Sequence, residues 1–95
     1  MKIDPLIAEH GLFQSMITLE SGEETERHHH TATHETYTII DGEGIVTVGG
    51  KTNPVRPRDF VSIPVHTPHR IINTGLLPLI VLSTKNGKSN DTVSC

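Results

Sequence analysis

Three imidazoles and a carboxylate, split between two stretches far apart in the chain, constrain this sequence more than any other feature. The first stretch holds Gly22, His28-His29-His30, Glu35 and Gly42; the second holds Pro64-Val65-His66-Thr67-Pro68-His69 and Asn73. Residues so spaced meet at one interior point if the chain forms a small barrel of β-strands, and His/Glu sets with ligand spacing are a metal-site signal. The pattern predicts a metal-bearing pocket.

The rest of the chain reads as short strands. Leu12 to Glu20 and Glu35 to Ile40 mix β-branched and apolar residues, and Ile45 to Val48 follows the turn Asp41-Gly42-Glu43-Gly44. Gly49-Gly50 suits the positive φ angles of a tight hairpin. The strands at 35–40 and 45–48 are expected to pair antiparallel. Phe60 to Ile63, His69 to Asn73 and Leu79 to Ser83 complete the set, divided by Pro64, Pro68, Gly75 and Pro78. Proline cannot donate to a ladder, so prolines at the ends of apolar runs mark turns. Only the first dozen residues carry any helical periodicity. An antiparallel sandwich and a jelly roll both satisfy this pattern.

With 95 residues there is room for one domain, read as residues 1–84, followed by a polar tail at 85–95 that is expected to fray. Only 34% of the residues are hydrophobic, so a monomer's core would be thin and a metal or a second copy would help. The net charge of −3, with Lys and Arg scattered, lacks the phosphate-neutralising stripe of a nucleic-acid binder. No apolar run approaches the roughly 20 residues that cross a bilayer, and the start has no signal-peptide core. A soluble, cytoplasmic protein is expected. The one cysteine, Cys95, rules out an internal disulfide framework.

Gly22, His28, His30, Glu35 and Gly42, then Pro64, His69 and Asn73, resemble the paired signatures of the cupin superfamily. Arg58 and His66 stand where that family usually has glycines, which touches local turn geometry and leaves the ligands whole. The motifs span residues 22 to 73, and the flanking strands bring nearly the whole chain within the resemblance. The run His28-His29-His30, the segment Ile63 to Arg70 and the ending Asn73 to Leu79 are similar to the mannose-6-phosphate isomerase-like branch. The resemblance implies an all-β fold, the antiparallel double-stranded β-helix or jelly roll, with a ligand cavity in its mouth. It also implies a homodimer paired through sheets.

By the same resemblance His28, His30, Glu35 and His69 hold one divalent ion per chain. Alternation along a strand agrees, since His28 and His30 share a face while His29 takes the other. His34 and His66 fall outside the pattern, and His10 is expected in a solvated turn. Tyr37 and His66 are candidates to touch substrate; no catalytic residue is assigned, and Tyr37, His66 and His34 are the acid–base candidates by position. Gly42 and Gly44 are read as turn residues. Such a site accepts Mn, Fe, Ni or Zn, and six-coordination leaves two positions open. A small-molecule partner is expected under each of three readings. The first is a Lewis-acid enzyme of the sugar or sugar-phosphate isomerase type, the second a metal-dependent dioxygenase. The third is a binding module whose ion is structural.

Overall fold

The computed structural model describes residues 1–87 and 91–95, and every regular element among them is a strand. In chain order these are β1 (Lys2–Glu9), β2 (Leu12–Leu19), β3 (His28–His30), β4 (His34–Asp41) and β5 (Gly44–Val48). They continue with β6 (Lys51–Val55), β7 (Phe60–Ile63), β8 (His69–Asn73), β9 (Leu79–Asn86) and β10 (Thr92–Ser94). Two five-stranded antiparallel sheets result, ordered β1-β2-β9-β4-β7 and β10-β3-β8-β5-β6. This is the jelly roll of a double-stranded β-helix, with an interior built from the two facing sheets.

Alternation decides what each sheet puts inside. The inward positions of β4 are Glu35, Tyr37 and Ile39; those of β8 are His69, Ile71 and Asn73; all six are buried. The apolar core comprises Ile17, Leu19, Tyr37, Ile39, Val46, Val55, Ile63, Ile71, Leu79 and Val81. Ten side chains are few for two sheets, so the polar residues buried beside them bear on how the sheets hold together.

Three expectations are corrected. The first dozen residues are strand β1 and a turn, since His10 and Gly11, at φ +52° and +76°, form a two-residue reversal onto β2. Histidine tolerates that backbone region better than most side chains, so a hairpin signal was present and subtle. Second, the strands at 35–40 and 45–48 do not pair: β4 lies between β9 and β7, whereas β5 lies between β8 and β6. The turn at 41–43 carries the chain from one sheet to the other. Gly49-Gly50 does close a hairpin, but its second arm is β6, whose Pro54 sits on a sheet edge where a missing donor is tolerated. Third, Gly42 and Gly44 do more than turn. A Cβ on Gly42 would run into the Pro78 carbonyl oxygen, and one on Gly44 into that of Ile72.

Arg58 and His66 hold left-handed backbone at φ +78° and +60°. The backbone thus keeps the glycine-like turn geometry although the residues do not, at a cost of about 1 kcal/mol each. Asn73 ties the far end of the barrel: its amide donates to the Leu19 and Leu77 carbonyls, both at 2.9 Å, and its oxygen accepts from Gly75 N–H at 2.8 Å. In the polar ending, β9 runs to Asn86 and Thr92–Ser94 pair antiparallel with His28–His30, while residues 88–90 lie outside the described residues.

Candidate metal centre

Both sheets contribute to one cluster near an end of the barrel. β3 presents His28 and His30, β8 presents His69, and β4 presents Glu35 from the opposite sheet. One ligand atom from each of the four lies within 4.8 Å of all the others. Glu35 Oε1 sits 3.0 Å from both His30 Nε2 and His69 Nε2. That is about the separation of neighbouring ligands on an ion held at roughly 2.1 Å. His30, Glu35 and His69 are buried, and half-buried His28 faces the opening.

The other ring nitrogens explain the orientation. His28 Nδ1 donates to the Glu26 carbonyl at 2.7 Å and His69 Nδ1 to the Thr67 carbonyl at 2.9 Å. His30 Nδ1 faces Thr92 Oγ1 at 3.2 Å and Asp91 Oδ1 at 3.4 Å. An imidazole donating from Nδ1 presents a bare lone pair at Nε2. His69 thus turns a lone pair toward a buried carboxylate oxygen, and His30 does the same when its Nδ1 carries the proton. Only a cation between them, a proton or a metal ion, makes that arrangement favourable. The donor set therefore fits a divalent first-row ion, and carbonyl partners behind imidazoles, as His28 and His69 have here, are the usual support of such ligands.

Glu35 is itself fixed. Its Oε2 accepts from Ser83 Oγ, and Tyr37 hydrogen-bonds the same carboxylate. Burial alone would raise its pKa, but donation from His30 and His69, where a proton stands between ring and carboxylate, together with that from Ser83 outweighs it and holds Glu35 well below the ordinary carboxylate range. Glu35 is thus ionised with Oε1 aimed at the imidazoles. Burial, reinforced by the Glu35 charge, pushes the Tyr37 hydroxyl well above its usual value. It is a neutral donor. Burial also lowers the His28 pKa, opposed by the Glu26 carbonyl. Asp91, though desolvation acts to raise it, is lowered by hydrogen bonds from Thr33 and the Ala32 N–H and by the field of His30. It stays an anion behind that ring.

A cavity of about 490 Å³ opens beside the cluster. His28, Glu35, Tyr37, Ser83 and Lys85 line it, with Ile3, Ile7, Phe13 and Ile17 as an apolar wall. His66 is exposed in the loop before β8 and does not line this cavity; its backbone N–H donates to the His30 carbonyl at 2.6 Å. His34 points outward to Ser62 Oγ, and His29, also outward, places Nδ1 3.1 Å from Cys95 Sγ. Ser83, Lys85, Asp91 and Thr92 were not singled out from sequence. Extending the alternation of β9 beyond Val81 would have found Ser83 and Lys85; composition had assigned the lysine to a tail.

A jelly roll that collects three histidines and a glutamate at its mouth has a cluster that could hold a metal ion. The chain belongs to the cupin family, since the profile of the cupin domain matches residues 15–85. An uncharacterized protein of Methanocaldococcus jannaschii is 38% identical over 61 residues, covering 64% of this chain and 49% of that one. A mannose-1-phosphate guanylyltransferase of Klebsiella pneumoniae is 37% identical over 62 residues, covering 65% of this chain and 13% of the enzyme. The chain therefore spans about half or less of the curated relatives it matches. Among solved structures, a proposed sugar phosphate isomerase from Acidithiobacillus ferrooxidans superposes with TM-score 0.75 at 31% identity, covering 83% of this chain and 52% of that one. Among the described residues no helix is long and apolar enough to cross a membrane.

Proposed function

We propose that His28, His30, Glu35 and His69 hold one divalent ion of the Mn, Fe, Ni or Zn group. The protein then acts as a metal-dependent enzyme on a small oxygenated substrate, in the manner of a sugar or sugar-phosphate isomerase. The carrying observation is the pair of buried Nε2 atoms, each 3.0 Å from Glu35 Oε1, beside an open cavity. The chemistry such an ion would supply is Lewis acidity, which would stabilise negative charge on a substrate oxygen bound beside these four residues. Ser83 and Tyr37 keep Glu35 in one orientation, half-buried His28 lies on the side that substrate approaches, and Ile3, Ile7, Phe13 and Ile17 thin the water around it. The likeness to a proposed sugar phosphate isomerase supports this reading.

A second reading, oxidation of a chelating enol by dioxygen, is favoured by one observation. Tyr37 is locked as a donor, and His34 and His66 lie away from the cavity, so none of the three is placed as a strong base. Oxidation needs no such base. The test is an aldose–ketose interconversion screen run beside oxygen uptake with enol substrates, on protein loaded separately with manganese, iron, nickel and zinc. Interconversion that disappears in His69→Ala is expected. Oxygen uptake with iron alone would replace the isomerase by the dioxygenase, and ligand binding without turnover would leave a binding module.

We also propose a homodimer closed over the outer face of the β1-β2-β9-β4-β7 sheet. Met16, Leu82, Thr38 and Phe60 fall in one row across it, with Ile80 in the next. Phe60 is 71% exposed in the single chain, although it anchors a largely apolar row. Sedimentation at micromolar concentration is expected to give the mass of two chains, and Phe60→Asp that of one. A wild-type monomer would refute the pairing.

A further inference from the structure

The inner face of β9 ends on a charge. Its inward positions run Leu79, Val81, Ser83 and Lys85, the first three buried and the lysine half-buried. Lys85 pairs across the sheet with Phe13 on one side and Glu35 on the other, and it lines the cavity. Its ammonium makes no hydrogen bond among the described residues. Its field reaches Glu35, but Glu35 does not neutralise it: Oε1 faces His30 and His69, and Oε2 is taken by Ser83. The other carboxylate of the lining, Glu26, is exposed. With a divalent ion in place, and with the Met1 ammonium of the lining paired to Glu23, the lining keeps one uncompensated positive charge even when Glu26 is counted; Asp91, behind His30, lies outside the lining. The same cavity has Ile3, Ile7, Phe13 and Ile17 as an apolar wall. An ammonium partly removed from water among apolar side chains attracts an anion more strongly than the same group on an open surface.

We propose that Lys85 seats an anionic group of the substrate, a carboxylate or a phosphate, while other oxygens of the same molecule reach the ion. The inference rests on the metal reading above and narrows its substrate class to anions. It makes Lys85 a specificity-determining residue with no part in holding the ion. Neutral polyols and esters are then poor ligands, because they leave the ammonium without a counter-charge in an apolar setting.

Cobalt(II)-loaded protein provides the test, with the visible cobalt band followed during titration. Four probes are used: mannose 6-phosphate, mannose, 2-oxo-4-methylpentanoate and its methyl ester. At least one anion is expected to bind about tenfold or more tightly than its neutral counterpart, the scale of one charge-assisted contact. The anion that does so identifies phosphate or carboxylate as the source. Lys85→Met is expected to erase the preference at unchanged cobalt content, and Lys85→Arg to keep most of it. Equal binding of anions and neutral probes, or a preference that survives Lys85→Met, overturns the seat and leaves the metal reading standing. Failure of wild-type protein to bind cobalt overturns the metal reading and the seat together.

Discussion

His30→Ala is expected to abolish stoichiometric metal binding and to lower the melting temperature of metal-loaded protein by roughly 10–20 °C. The size comes from linkage. An ion at about a hundredfold excess over its dissociation constant stabilises the folded state by about 2.7 kcal/mol. For a domain of this length, about 1 kcal/mol moves the midpoint by roughly 4–8 °C. His30 is the ligand for which this should be cleanest. It is 1% exposed, it meets Glu35 Oε1 at 3.0 Å, and its far nitrogen is backed by Thr92 and Asp91. Its loss removes a ligand and also strips a partner from a buried carboxylate, so the variant should melt below even chelator-treated wild type. His34→Ala is the control, because His34 is exposed and bonds Ser62 on the outer side. Full metal content in His30→Ala, by elemental analysis after purification without chelator, would refute the ligand assignment.

That these four side chains come together was legible from the resemblance to the cupin signatures and from a signal that is local and doubled. His28 and His30 are two apart, Glu35 heads an alternating run, and His69 heads another, so facing followed from the pleat alone. Strands at Phe60–Ile63 and His69–Asn73 have the bounds expected of them, since prolines or glycines stand near both. Partner choice was not legible. Alternation says which face of β4 is buried and nothing about whether β5, β7 or β9 lies beside it, and closure of the barrel put β5 in the other sheet. The supporting residues were hidden for a different reason. Asp91 and Thr92 reach His30 from across a strand pairing of the polar ending, and Lys85 continues an inward row whose earlier members are apolar. Average composition conceals both, because one side chain in a specific register outweighs the polarity of its neighbours.

Acidification is expected to release the ion and unfold the chain in two stages. His28 is neutral in the folded protein with its pKa lowered by burial; His69 and His30 disfavour its proton, whereas the Glu26 carbonyl and Glu35 favour it. A lowered imidazole pKa means that the unfolded chain takes up the proton first. The stability it contributes is therefore complete above the ordinary value of about 6.5 and is lost as the pH falls from there toward the folded value. Over the same range protons compete with the ion for imidazole nitrogens, and each ligand that must shed a proton costs up to about tenfold in affinity per pH unit. Glu35 acts later. Its folded pKa lies well below the carboxylate range, so its contribution is intact above about 4.3 and declines as the pH falls below that. Metal content and melting temperature should thus fall together from about pH 6.5 downward, with a further loss of stability below about pH 4.3 that chelator-treated protein shows as well. The two stages separate the groups. His30→Ala should lack the metal-linked part of the first and show a diminished second, carried by His69 and Ser83, whereas Glu35→Gln should lack the second. Stoichiometric metal retained at about pH 4 would mean that the ion is not held through imidazole nitrogens.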